Sequence, residues 1–171
     1  MGATAVDIGV DTNADAALRD FVDGRRHALF RSACLLCGDR DEADDLVQAT
    51  LVKVVLGVRR KTRLDNIEAY ARRTLMNIFI ASRRRFWRRE RAVGELPDRQ
   101  SAPAPDADTG LVVRAALRRL TPRQRAVVVL RYWEDLSVAE TAGLLGMREN
   151  TVKSHVLRGL AALRAELREG G

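Results

Sequence analysis

The sequence contains few of the residues that most enzymatic and metal-binding sites require. Among its 171 residues there are two cysteines and two histidines, and aromatic residues make up 5%. Two cysteines cannot form the disulfide framework of a small secreted domain. The sequence also shows no Gly-rich phosphate loop, no His-based nucleophile set and no clustered metal ligands. We therefore predict that the chain is not an enzyme and that it uses no cofactor and no metal ion.

Long apolar stretches are scarce as well. The longest apolar runs are the five residues 33–37 and the five residues 126–130, whereas a membrane-spanning helix needs about 20. Residues 1–17 lack the basic start and the apolar centre of a secretory signal. We therefore expect a cytoplasmic protein that does not insert into a membrane.

Basic residues outnumber acidic residues, and the excess is unevenly distributed. Thirty Lys and Arg stand against 23 Asp and Glu, which gives a formal net charge of +7. Residues 18–93 carry a net charge of +8 and residues 111–171 one of +5, whereas residues 1–17 and 94–110 each carry −3. Two basic segments separated by an acidic one favour a polyanionic partner such as nucleic acid.

Proline marks the division between the two basic segments. Three of the four prolines lie in residues 94–110, where no apolar periodicity is present. Proline prevents helix continuation and favours extended backbone. The remaining chain is rich in Ala, Leu, Arg and Glu, which favours helix. We predict an all-α fold with a disordered tail over 1–17, a helical domain over 18–93, a flexible, acidic, Pro-rich linker over 94–110 and a second helical domain over 111–169.

Apolar periodicity and capping residues predict the individual helices. A capping box over 39–42 starts the second helix, and 59–64 reads as a loop. The predicted helices are 15–37, a second one from 39 to that loop, 65–93, 111–120, 122–133, 137–145 and 148–167.

Residues 138–160, VAETAGLLGMRENTVKSHVLRGL, carry the pattern of a helix-turn-helix. Ala142 is small where two helices would touch, Gly146 permits a tight turn, and Val152 would fill the shared core. The other face of the second helix is short, polar and basic, which suits the major groove of DNA better than an ordinary solvated face. For His155, a single optional phosphate contact remains an alternative to a base contact. The polar face consists of Asn150, Thr151, Ser154, His155 and Arg158.

The predicted third helix ends in an arginine-rich segment with six arginines between 83 and 91. A solvated charge run would explain such a cluster. One helix face, however, aligns an aromatic ring, an amide and guanidinium groups, which together can stack an unpaired base and hold its backbone. Phe86 is expected to face the core instead. The aligned residues are Tyr70, Arg73, Asn77, Arg84 and Arg88.

Two further clusters have a structural and a functional interpretation. Five acids within residues 39–45 exceed what helix capping needs, so they predict a docking site for a basic partner. Cys34 and Cys37 have C-x-x-C spacing, but a second pair of ligands is missing, which favours core packing over a metal site. A thiol-based sensor remains an alternative for this pair.

Residues 39–91 resemble region 2 of the extracytoplasmic-function (ECF) sigma factors of bacterial RNA polymerase, and residues 117–164 resemble their region 4. The resemblance implies a factor that directs core polymerase to promoters, reads the −35 element with the helix-turn-helix, and melts and captures the −10 element with region 2. It further implies that the region 4 domain sits on the β flap, and it leaves an anti-sigma factor open as a partner. The segment implied to dock on the polymerase β′ clamp is Asp44, Asp45, Leu46 and Gln48.

The same resemblance completes the two sets of DNA contacts. A duplex-binding regulator of response-regulator type is the alternative, because TVKSHV is also typical of that class. Residues 18–93, however, show neither the strand alternation nor the acidic pocket of a receiver domain. The −35 set is Arg148, Asn150, Thr151, Lys153, Ser154, His155 and Arg158. The −10 set is Arg60, Lys61, Arg63, Asn66, Tyr70, Arg73, Asn77, Arg84 and Arg88.

Overall fold

The computed structural model describes residues 12–60, 66–93 and 108–169, and all regular structure in these ranges is helical. The all-α prediction is therefore confirmed. None of the described helices combines the length and the apolar character that a membrane crossing needs. The helices are α1 (Thr12–Cys37), α2 (Arg40–Arg60), α3 (Ile67–Val93), α4 (Asp108–Arg119), α5 (Pro122–Val128) with a π-helical continuation (Val129–Trp133), α6 (Val138–Leu145) and α7 (Glu149–Glu169).

Helices α1, α2 and α3 pack around one apolar core. Gly38 ends α1 in the left-handed conformation at a φ of +76°, and its N–H donates to the carbonyl of Cys34. The Asp39 carboxylate then accepts from the N–H of Glu42 at 2.8 Å and caps α2. Fully buried side chains of this core include Leu36, Val47, Val54, Leu75, Met76 and Phe79.

Helices α4 to α7 form the second unit, which contains the predicted helix-turn-helix. Reciprocal capping boxes start α5 at Thr121 and α6 at Ser137. Gly146 adopts a left-handed conformation (φ 62°) and turns the chain from α6 into α7. Gly159 lets α7 approach α5 closely, because a Cβ there would lie 2.9 Å from a methyl group of Val128. The small core between these helices consists of Val127, Ala142 and Val152.

The two units do not stand apart but share a continuous core. Ala126, Val129 and Leu130 of the second unit are buried in the same cluster as the residues of α1, α2 and α3. The apolar run 126–130 provides more aliphatic surface than the second unit covers by itself, so it also packs on α1 and α3. We call this contact the interdomain interface and the conformation that it holds the closed arrangement.

Several predicted boundaries differ from the observed ones. Helix α1 begins at Thr12, within the predicted tail, and α4 begins at Asp108, within the predicted linker. Both helices have an Asp in the first turn, where an acid is favoured by the helix dipole. Helix α2 continues through Arg60 into the predicted loop. Residues 1–11, 61–65 and 94–107 lie outside the described part of the chain.

Candidate nucleic-acid interface

The exposed face of α3 carries the arginines that the sequence predicts to bind single-stranded DNA. Arg73, Arg84 and Arg88 are exposed, as is Asn77 between them. None of these three arginines forms an ion pair with another described residue, whereas their neighbours Arg72 and Arg83 do. Guanidinium groups that no carboxylate neutralises are available to phosphate oxygens. The predicted face is therefore exposed as expected.

Tyr70 is half-buried at the junction of α2 and α3. Its ring lies directly over Gly57, where an added Cβ would stand 2.5 Å from the Tyr70 hydroxyl and 2.8 Å from the ring carbon that bears it. A side chain at position 57 would therefore collide with the ring. The absence of one fixes Tyr70 beside α2 and leaves part of the ring accessible for stacking.

The aromatic residues near the end of α3 contradict one expectation. Phe86 was predicted to face the core, but it is 42% exposed. Phe79 is the last buried residue of α3, and the described residues that follow it in this helix are half-buried or exposed. Trp87, which sequence reasoning did not select, is 55% exposed among the arginines.

The residues that precede α3 have mixed roles. The side-chain oxygen of Asn66 accepts from the N–H of Ala69 at 2.9 Å, so Asn66 caps α3. Its prediction as a DNA contact did not anticipate this structural role. Arg60 is exposed at the end of α2. Lys61 and Arg63, also predicted to contact DNA, lie outside the described residues.

The second helix of the helix-turn-helix presents most of the predicted −35 set to solvent. The Ser154 hydroxyl donates to the backbone carbonyl of Asn150 at 2.9 Å, so it is partly occupied within its own helix. The exposed members of the set are Arg148, Asn150, Thr151, Lys153, Ser154 and Arg158.

His155 differs from the rest of that set because it is half-buried. Its Nδ1 atom is buried without a hydrogen-bond partner in the described structure. Burial lowers the pKa of His155, and the charges of Arg123 and Arg158 lower it further. The ring therefore lies beside α3 in the closed arrangement and is not fully presented with the other −35 residues.

The acidic start of α2 is partly engaged within the molecule. Asp44 pairs with Arg26 at 3.1 Å and accepts from the Gln48 side chain at 2.7 Å. Glu42 pairs with Arg83 at 2.6 Å and so ties α2 to α3. Asp45 and Gln48 are exposed.

Leu46 is buried at 7% exposure, so it offers little surface in this conformation, and its contact with polymerase stays a prediction. It lies on the core face of α2 beside the fully buried Val47. Within residues 44–48 (DDLVQ), only the polar side chains reach the surface of the unit. Leu46 can support their position but cannot reach a partner in this conformation.

Both cysteines are buried and free, which confirms the core-packing interpretation. Burial raises the pKa of Cys34, and it raises the pKa of Cys37 to about 12. Since the thiolate is the reactive form, both side chains remain unreactive thiols at neutral pH. The part of the chain that the structure describes contains no group of His, Cys, Asp and Glu able to hold a metal ion.

Arg125 is a functional residue of the interdomain interface that the sequence analysis missed. It is 6% exposed, and its guanidinium donates to the backbone carbonyls of Leu36, Arg118 (2.9 Å) and Leu120 (3.3 Å). Burial lowers the pKa of Arg125 to about 10, which still leaves it charged at neutral pH. Its signal in the sequence was a cation directly before the apolar run 126–130.

Glu134 forms the second polar contact of this interface. Its carboxylate accepts from the Ser32 hydroxyl and, at 2.9 Å, from Nε of Arg72. Arg72 also pairs with Glu68 at 2.6 Å. Glu134 therefore links α1 and α3 of the first unit to the end of the π-helical turn in the second, a contact that no sequence pattern indicated.

Comparison with known proteins gives the same family for both units. Residues 21–89 match the family described as Sigma-70 region 2, and residues 111–163 match Sigma-70, region 4. The RNA polymerase sigma-E factor of Streptomyces coelicolor is 41% identical over 156 residues, which cover 86% of this chain and 84% of that protein. The ECF RNA polymerase sigma factor SigL of Mycobacterium tuberculosis is 33% identical over 171 residues, covering 92% of this chain and 93% of that protein.

A solved structure extends the likeness to the arrangement of both units. It is the co-crystal structure of the sigma factor RpoE with the anti-sigma factor NepR from Bartonella quintana. The match to this structure has a TM-score of 0.74 at 26% sequence identity, and it covers 89% of this chain and 97% of the matched chain.

Two sigma-70 regions in this order, the second with a helix-turn-helix, define a sigma-70-type transcription initiation factor. More particularly, the chain belongs to the ECF family of RNA polymerase sigma factors. These family matches support this interpretation over the response-regulator alternative.

Proposed function

We propose that this chain selects promoters for bacterial RNA polymerase core by binding two DNA elements with two separate helix faces. The observation that carries the proposal is the row of exposed arginines on α3 that no described carboxylate neutralises. A folded protein does not need such a row for its own stability. It suits a phosphate backbone, and the polymerase supplies the chemistry.

The exposed side of α7 is the proposed reader of the −35 duplex. Arg148 and Asn150 lie near the start of this helix, which in a helix-turn-helix is the part that contacts base edges. Arginine pairs bidentately with guanine, and asparagine does so with adenine. Lys153 and Arg158 are proposed to hold phosphates and so to fix the register of the helix.

The α3 face is the proposed −10 surface. Tyr70 can stack on an unpaired base, while Asn77 and Arg73 lie on the same helix face and can hold the adjoining strand. Arg84 and Arg88 continue the face about two and about three turns beyond Asn77. We propose that this surface captures a strand after the duplex opens, which stabilises the melted state.

The partners follow from the same surfaces. Asp44, Asp45 and Gln48 are the proposed β′ clamp contacts, with Leu46 beneath them, and the region 4 unit is the proposed β flap contact. The relative RpoE is seen with the anti-sigma factor NepR, and we propose an anti-sigma partner for this chain too. We further propose cytoplasmic action, with the tail, domain and linker boundaries adjusted to the observed helix starts.

Run-off transcription with purified core polymerase tests the proposal. We expect initiation from a cognate promoter only when the chain is added, and loss of initiation in Arg73→Ala/Asn77→Ala. Arg85→Ala/Arg89→Ala is the control, because these residues lie on the same helix outside the predicted face. Specific binding to the promoter duplex at physiological salt without polymerase, with no initiation upon adding core, would contradict the proposal and favour a duplex-binding regulator.

A further inference from the structure

A basic cleft lies between the two units in the closed arrangement. Its volume is about 540 Å³, and it runs between the last turns of α3 and the starts of α5 and α7. Four arginines line it, together with one indole and one imidazole, and none of the described carboxylates does. These six residues are Arg84, Trp87, Arg88, Arg91, Arg123 and His155.

Within the described residues, no ion pair balances the charge of the cleft. None of the four lining arginines forms an ion pair in the described ranges, although six ion pairs occur elsewhere in them. The charge of Arg123 is close enough to lower the pKa of His155. Nδ1 of His155 is buried and has no described hydrogen-bond partner. An anion in the cleft would relieve this repulsion and could accept hydrogen bonds from several guanidiniums.

Two contacts hold the walls of the cleft in place. The capping box of Thr121 and Gln124 fixes the start of α5, and the 2.6 Å pair between Arg83 and Glu42 anchors α3 to α2. Such anchoring favours a largely pre-formed site. The observed volume also lies within the range of about 300–1,000 Å³ that small-molecule sites occupy.

Trp87 narrows the class of ligand. Its indole is 55% exposed and stands beside guanidinium groups. An exposed indole offers a stacking surface to a flat ring, as in proteins that bind unpaired bases. A ligand that uses both features combines an aromatic base with a chain of phosphates.

We propose that the cleft binds a nucleoside polyphosphate, with the base on Trp87 and the phosphates on the arginines of both units. Because α3 supplies one wall and α5 and α7 the other, the bound ligand stabilises the closed arrangement. It also occupies Arg84 and Arg88, so it competes with promoter DNA. This competition rests on the proposed function, whereas the binding itself does not.

Isothermal titration of the full chain tests the binding without polymerase. GTP and ATP are compared with inorganic tripolyphosphate, with guanosine and with a short single-stranded DNA. We expect a triphosphate to bind about tenfold or more tightly than tripolyphosphate or guanosine alone, a difference of about 1.4 kcal/mol. Equal binding of tripolyphosphate, or binding of the DNA without any nucleotide binding, overturns the proposal.

Charge-matched variants separate the cleft from net charge. We expect Arg91→Gln/Arg123→Gln to weaken triphosphate binding about tenfold or more, and Arg85→Gln/Arg89→Gln, whose exposed arginines do not line the cleft, to leave it unchanged. Equal weakening in both overturns the proposal. In Trp133→Phe, which leaves Trp87 as the sole tryptophan, the nucleotide should quench fluorescence. An unquenched Trp87 excludes the stacked base.

Transcription distinguishes this inference from the proposed function. Arg91 lies outside both the named DNA contacts and the region 4 unit proposed for the β flap, so Arg91→Gln should support normal run-off transcription while it binds nucleotide more weakly. Loss of initiation by the unaltered chain with intact nucleotide binding would contradict the proposed function alone. Intact initiation without nucleotide binding would contradict this inference alone.

Discussion

Tyr70 keeps its place beside α2 only because position 57 has no side chain. In Gly57→Ala the new methyl group would meet the Tyr70 hydroxyl at 2.5 Å. Overpacking of this kind costs about 1–3 kcal/mol, and the gain in helix propensity offsets up to about 1 kcal/mol of it. We expect a less stable chain, by denaturant unfolding, that also opens the −10 element more slowly.

Gly24 provides the matched control for that substitution. It also lies within a helix, but no atom stands within 4 Å of its added Cβ. Gly24→Ala should therefore stabilise the chain by up to about 1 kcal/mol and leave promoter opening unchanged. A similar loss in both variants would mean that the Tyr70 contact has no special role.

The buried thiols make a prediction about pH. The pKa of Cys37 is raised from 9.0 to about 12 because burial disfavours the thiolate. Above pH 9.0 the unfolded chain loses this proton first, so the contribution of Cys37 to stability is complete below pH 9.0 and declines as the pH rises towards 12. Denaturant unfolding across this range should show a smaller decline in Cys37→Ala. An identical pH dependence in both proteins would contradict the assignment.

The same burial predicts slow alkylation of Cys34 and Cys37 in the native chain and rapid alkylation after unfolding. Mass spectrometry after iodoacetamide treatment measures both. Rapid native reaction would revive the sensor interpretation, which then predicts that replacing both cysteines by serine alters regulation.

Sequence periodicity predicts which way a side chain faces but not what stands opposite. It placed Arg73, Arg84 and Arg88 on an exposed face of α3 correctly. Its placement of Phe86 on the core face was wrong, because the ring is 42% exposed. Leu46 differs in another way, because it belongs to the segment predicted to dock on polymerase while its own side chain packs inside the unit.

At the scale of elements, the α-helices were predictable from the sequence, but the π-helical turn that continues α5 was not. Capping residues such as Thr121 and Ser137 are local signals, and both form reciprocal capping boxes. The π-helical turn over 129–133 has no such signal. In it the N–H of Glu134 donates to the carbonyl of Val129 at 3.0 Å, five residues earlier. This wider turn directs Glu134 towards Ser32 of α1 and Arg72 of α3. We therefore attribute the π-helical turn to the interdomain interface and not to local helix propensity.

Helix α7 makes a prediction that separates base contacts from phosphate contacts. Asn150→Ala should cost the holoenzyme about 1–3 kcal/mol and relax its preference at one −35 base pair. Lys153→Ala should weaken binding to all sequences alike and reduce the salt slope by about one. Fluorescence anisotropy with a set of single-base promoter variants measures both.

Arg164 is the control on the same helix. It is exposed, as Lys153 is, but lies three turns further along α7. Arg164→Ala should therefore leave affinity, base preference and salt slope close to those of the unaltered chain. A uniform loss in all three variants would contradict the assigned recognition face.

At the scale of the whole molecule, the closed arrangement is too small for the proposed task. A compact chain of this length has a radius of gyration of about 16 Å, whereas the −35 and −10 elements are about 25 base pairs, or about 85 Å, apart at about 3.4 Å per base pair. Fifteen peptide steps join Val93 to Asp108, and they can extend to about 50 Å. The interdomain interface must therefore open before both elements are bound.

Glu134→Gln tests this opening. The variant weakens a partly buried contact to Arg72, and hydrogen bonds to charged groups contribute about 1.5–3 kcal/mol. We expect a larger radius of gyration by small-angle scattering, and tighter binding of the free chain to −10 single strands. Glu166→Gln carries the same charge change but affects an exposed 3.7 Å pair with Arg119 inside the second unit, so it should remain compact. Equal compaction of the two variants would show that Glu134 does not hold the units together.

Arg125 has a consequence for how the two halves part. An interface made only of aliphatic side chains would expose a hydrophobic surface when the units separate, and such a surface promotes aggregation. Here the Arg125 guanidinium donates hydrogen bonds to backbone carbonyls of the first unit and of its own unit. Water can replace each of these hydrogen bonds once the interface is solvated. The interdomain interface can therefore open and close repeatedly without damage to either unit.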